Sequence, residues 1–164
     1  MLRHKSLIPL SHQHQHALAL CVRIDRAQPI AIADLETWQS EIEQHFEHEI
    51  KIHFSAEECV LFPSAREFPE LLPVVEELIA DHAALRHSFS EAQRRCMSAQ
   101  TLPTLARQLS AHIRKEERQL FEPLQRLMTP AQLADLGVKL EASLKDSAPF
   151  CALTNKTTGV QPKK

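Results

Sequence analysis

Apolar residues in this chain recur every three or four positions over four long stretches, the spacing that gives a helix one buried face. The first stretch begins near Ser11, a side chain suited to an N-cap, and runs through ALALCVRIDRA to Gln28-Pro29, where proline disfavours helix in the residue before it. The second extends from about Ala33 to Phe62, with Trp38, Ile42, Phe46, Ile50 and Phe54 at four-residue steps, and Pro63 is expected to end it. PSAREFPELLP reads as a connection, and VVEELIADHAALRHSFSEAQRRCM as a third helix. A fourth resumes at Thr101 and Pro103 and continues to Met128, with Pro123 expected to kink or break its last turn. Thr129, Pro130 and Gln132 combine an N-cap, a proline at the first helical position and a capping-box glutamine. A shorter fifth helix is therefore expected over roughly Pro130 to Lys145, on the outside of the others. From Asp146 the text turns polar and aperiodic, which predicts a flexible tail over 147–164.

Composition narrows this to an all-α fold. The chain has two glycines, Gly137 and Gly159, and no tyrosine, and is rich in strong helix formers. Its 164 residues suit one domain, expected over 1–146, with the tail after it. A net charge of -2, with basic runs no longer than Arg94-Arg95 or Lys163-Lys164, offers no field for phosphates, so nucleic acid is not expected as a partner. No stretch is apolar for the ~20 residues a membrane span requires, and a soluble cytoplasmic protein is expected. Cys21, Cys59, Cys96 and Cys151 form no CxxC pair, which argues against a thiolate zinc site or a disulfide framework and for reduced thiols. The lack of tyrosine excludes an enzyme that stores a tyrosyl radical. Composition does not explain the ten histidines.

HFSAEECVLFP, beginning at His53, and HIRKEERQLFEP, beginning at His112, share His, Glu, Glu, Leu and Phe in register. Positions i and i+4 lie on nearly one helix face, so His53 with Glu57 and His112 with Glu116 can each chelate one site. Glu58 and Glu117, at i+5, point ~140° from those histidines and are expected behind the ligands or at the surface. His14 and His82 are available on the other two helices. His53 lies ten residues before Pro63 and His82 about ten after Leu72, which puts both ~15 Å from the bundle end. The bland alternative is a solvated face on which His and Glu four apart pair weakly. It fits poorly with the apolar neighbours Ile50, Phe54 and Leu61, or Leu109, Ile113 and Leu120. His12, His16, His45, His48 and His87 are expected at the surface. Glu49, one turn before His53, should face inward as a further ligand or as a hydrogen-bond partner of a metal-bound imidazole. Cys21 reads as a small core residue, and Cys59, beside the glutamate pair, as a candidate for redox sensitivity.

LSHQHQHAL around His14, HFSAEECVLFP around His53, IADHAALRH around His82 and HIRKEERQLFEP around His112 together resemble the hemerythrin-like, cation-binding HHE family, over about Leu10 to Leu127. The resemblance implies an up-down-up-down four-helix bundle with a non-haem di-iron centre. It makes His14, His53, His82 and His112 terminal ligands and Glu57 and Glu116 bridges. The same nitrogen and oxygen set would accept manganese or zinc. The match departs from oxygen-carrying hemerythrins, which place a second histidine where this chain has Arg86 and an aspartate where it has Glu117. The symmetric HxxxE instead resembles iron-sensing and cluster-repair relatives. The expected function is to bind or sense dioxygen or a related small ligand such as nitric oxide or peroxide, as a monomer or homodimer. Two other readings compete. One is a di-iron enzyme or repair protein that acts on peroxide or nitric oxide, or donates iron to iron-sulfur clusters; the other is a metal-free helical interaction module.

Overall fold

The computed structural model describes residues 2–145, so the expected tail lies outside the described residues. Within them there is no strand. We label the helices α1 (Ile8–Arg26), α2 (35–65), α3 (Leu72–Gln93), α4 (102–127) and α5 (Pro130–Lys145). None is long and apolar enough to cross a membrane.

Three expected boundaries move. The first helix starts at Ile8, ahead of Ser11, because Pro9 in its opening turn and a 3-10 turn at Lys5–Leu7 lead the chain in. Ser11 is thus interior, and its hydroxyl donates to Glu117 Oε1 at 2.7 Å. Neither Pro63 nor Pro123 stops its helix. Each closely follows a wide π turn, Glu57–Leu61 or Glu116–Phe121, so the missing N–H falls where the hydrogen-bond pattern is already changing. A third π turn occupies Phe46–Ile50. The fifth helix has its expected bounds. Thr129 Oγ1 accepts from Gln132 N at 3.3 Å and Gln132 Oε1 from Thr129 N at 2.9 Å, a closed capping box.

α1 packs along α4, α2 along α3, and α3 also on α4, while α5 lies across the Lys5–Leu7 turn and α2. Leu133, Leu136 and Leu140 are the apolar stripe that α5 buries there. Gly137 permits the approach, since a Cβ on it would stand 2.5 Å from Ser6 Oγ. The apolar side chains form two clusters. One holds Leu20, Ile24, Ile42, Phe46, Phe89 and Leu105. The other holds Leu10, Leu61, Phe62, Leu78, Phe121 and Leu136. Each buried Leu or Phe contributes about 1.5–3 kcal/mol, so the clusters can hold a polar layer that is costly by itself.

Candidate metal centre

That layer contains the six side chains expected as ligands. His14 comes from α1, His53 and Glu57 from α2, His82 from α3, and His112 and Glu116 from α4, all at most 4% exposed. They are six of the eight buried polar or charged residues among those described, so polarity is buried here and almost nowhere else. Their donor atoms form two groups, His14 with His53, Glu57 and Glu116, and Glu57 with His82 and His112. Within each group the atoms lie no more than 4.8 Å apart. Glu57 belongs to both, with Oε1 2.8 Å from His53 Nε2 and Oε2 3.3 Å from His82 Nε2. Glu116 Oε2 lies 3.2 Å from His14 Nε2 and 3.7 Å from His112 Nε2.

Apart from the contact between His14 and His53, these atoms converge without hydrogen-bonding one another. Both oxygens of Glu57 and of Glu116, and Nε2 of His82 and His112, are buried with no hydrogen-bond partner. Burying carboxylates in this way costs several kcal/mol unless a cation compensates. Nε2 of His14 and His53 approach to 3.0 Å. Their Nδ1 atoms each face an acceptor and so carry a proton, which leaves Nε2 of both rings aimed at the centre as the atom a metal would take. A divalent cation in each group would give every one of these side chains a partner. The donor set of imidazole and carboxylate fits iron, manganese or zinc.

Behind the donors, the repeated motif assigns each consecutive glutamate pair to one histidine of another helix. Glu57 meets Nε2 of His82 and Glu58 accepts its Nδ1–H at 2.7 Å. Glu116 meets Nε2 of His14 and Glu117 accepts its Nδ1–H at 2.7 Å. Phe62 lies against His82 with centroids 5.4 Å apart, and Phe121 stacks on His14 at 5.5 Å. Arginine completes both arrangements. Arg86 donates to both oxygens of Glu58 at 2.7 and 3.0 Å, and Arg3 donates to Glu117 and lies over Phe121. Ionic pairing of this kind fixes the ring and raises its basicity. His112 Nδ1 faces Asp81 at 3.5 Å, and Lys115 donates to that carboxylate at 2.9 Å. His53 alone among the four is backed by a neutral group, the amide oxygen of Gln13, at 2.8 Å.

Burial opposes charge on His14, yet the Glu116 and Glu117 carboxylates outweigh it and raise it to about 10. His82 behaves alike, with burial opposed by Glu57 and Glu58, and rises to about 9. Burial would push Glu57 up, but His53 and His82 hold it well below the usual carboxylate range. Contact with His112 lowers Asp81 to about 2 against partial burial, with Lys115 assisting.

Gln13, Asp81, Arg3 and Arg86 were absent from the expected set; Asp81 and Arg86 carried a signal in the sequence, adjoining His82 or lying one turn beyond it. Glu49 does not reach the donor groups. It accepts from His16 Nδ1 at 2.7 Å and lies 3.6 Å from His45 Nδ1. His12, His16, His48 and His87 are exposed as expected, whereas the His45 side chain is only 18% exposed. Cys21 is buried in the core, and Cys21, Cys59 and Cys96 form no disulfide. Beside the centre is a cavity of about 10 Å³, the scale of one water molecule, bounded by His14, His53 and His112 and by apolar Ala17, Phe54 and Ile113.

Comparison with curated proteins and with solved structures gave no match. The Hemerythrin HHE cation binding domain, in contrast, matches residues 9–124, the span that contains all four buried histidines. The chain therefore belongs to the hemerythrin family of HHE cation-binding domains.

Proposed function

We propose that the protein holds two non-haem iron ions and binds or senses dioxygen or a related diatomic. His14 and His53 would hold one ion and His82 and His112 the other, with Glu57 and Glu116 shared between them. The observation that carries this reading is Glu57, whose two unpartnered oxygens face one donor group each. Each helix also meets the two apolar clusters in the order opposite to its predecessor, which supports an up-down-up-down bundle in a single domain.

Iron would supply the electrons and open coordination positions that a diatomic requires. The residues of the chain do the remainder. Glu58, Glu117 and Gln13 bond the Nδ1 atoms of His82, His14 and His53, and the Asp81 carboxylate faces that of His112 at 3.5 Å, so each Nε2 stays aimed inward. Phe54, stacked on His82 at 3.8 Å, and Ile113 exclude bulk water. The small cavity admits a diatomic and excludes an organic substrate.

Nitric oxide added to anaerobically iron-loaded protein tests the proposal. A stoichiometric change in absorption and paramagnetic resonance, reversed on removing the gas, is expected. No response to nitric oxide or dioxygen would overturn it. Catalytic consumption of peroxide or nitric oxide, or iron transfer to an apo cluster protein, would favour the enzyme or repair reading.

A further inference from the structure

Away from the centre, an open groove of about 480 Å³ runs between α1 and α2, with His16, Arg23, Glu41, His45, His48 and Glu49 in its walls. Its positive charge is already committed, because Arg23 is paired with Glu41 and lies over the Trp38 ring. The free chemistry left is three imidazoles and one carboxylate. Glu49 is their hub, with Oε1 on His16 Nδ1 at 2.7 Å and Oε2 3.6 Å from His45 Nδ1.

Two observations distinguish this cluster from an ordinary surface His–Glu pair. Glu49 forms part of the groove wall and also of the small cavity bounded by His14, His53 and His112. It also rides on the π turn Phe46–Ile50, the same local device that carries Glu57 and Glu116 at the centre. Such turns are rare and concentrate at functional sites. In addition, His45 Nε2 is buried without a hydrogen-bond partner, and burial lowers that imidazole, which keeps it neutral and able to ligate. Exposure falls along the route, from 65% at His16 to 20% at Glu49 beside the small cavity.

We propose that His16, His45 and Glu49 form a loading site for a divalent first-row cation, from which Glu49 hands the ion inward to the buried centre. The handover rests on the di-metal reading above. On arrival the cation takes the Nδ1 lone pair of His16, and the proton held there passes through solvent in the groove to Nε2 of the same ring, so the imidazole remains a neutral ligand. Glu49 then rotates from the groove wall to the cavity wall, carrying charge compensation for an ion that would otherwise enter an apolar passage bare. The Glu49 carboxylate also concentrates cations beside the cavity, at the one place where a charged side chain outside the donor groups lines it.

Cobalt(II) is the probe, followed by its visible absorption as it enters the apo protein in stopped flow. Wild type should take up one ion per donor group. A His16→Ala, His45→Ala double variant and Glu49→Gln should reach the same end point roughly tenfold more slowly. Uptake at the wild-type rate in both would overturn the loading site. A chain without the inner histidines, His53→Ala with His112→Ala, supplies the independent arm. It should keep one weakly held, exposed cobalt that His16→Ala removes, and no residual uptake would overturn the outer site whatever the centre does. If wild type also takes up only that weak ion, the inner centre fails while the outer site stands.

Discussion

Glu117 on α4 accepts the Nδ1–H of His14 on α1 at 2.7 Å, the bond that Glu58 on α2 makes to His82 on α3. The second glutamate of each motif therefore serves a histidine of another helix. Glu58→Gln and Glu117→Gln should keep the fold and still bind metal, but with about 10- to 100-fold weaker affinity. Competition against a chelating dye measures this. Wild-type affinity in both variants would reduce the two glutamates to surface charges.

Protons occupy the centre when metal does not. Because His14 is raised to about 10 and His82 to about 9, both are protonated in the apo protein at pH 7. Loading zinc into unbuffered apo protein at that pH should release about two protons per chain, as titration back to the starting pH would record. The same shifts set the stability of the chelated protein. A folded value above the unfolded 6.5 stabilises fully below pH 6.5 and is lost as pH rises through 9 to 10. Its thermal midpoint should accordingly fall over that window, whereas metal-loaded protein should change less. A midpoint flat from pH 6.5 to 10 in the chelated form would contradict the assignment.

Gly137→Ala sets two effects against each other. Alanine gains about 1 kcal/mol of helix propensity, but its Cβ would stand 2.5 Å from Ser6 Oγ and 2.8 Å from Ser6 Cβ. Overpacking of this kind costs about 1–3 kcal/mol, so net destabilisation is expected in urea denaturation. Ser6→Gly in the same chain should recover most of it. A Gly137→Ala protein more stable than wild type would show that α5 can move away freely.

The four-helix pattern and all six inward residues were legible in the sequence because His and Glu at i and i+4 must share a helix face. The wide turns were not read, although the sequence held a trace of them. A four-residue step drifts about 40° per repeat in a regular helix, so the stripe from Trp38 to Phe54 stays on one face only if a turn is wider. The Phe46–Ile50 turn supplies this. Wide turns also explain why Pro63 failed as a terminator and why Pro123 does not break the last turn of α4. Gln13 and Arg3 had no local signal, since each meets its partner only where separate segments come together. Glu49 was expected to serve the centre as a ligand or as the partner of a ligating imidazole, but its partners lie across the groove on α1 and one turn earlier on α2.

Iron content of protein purified without a histidine tag and reconstituted anaerobically tests the central claim most directly, alongside the His53→Ala, His112→Ala double variant. About two irons per chain, one for each donor group, are expected in wild type. The variant should lose them while its circular dichroism remains helical. Wild-type iron well below stoichiometric, or equal iron in the variant, would contradict the account.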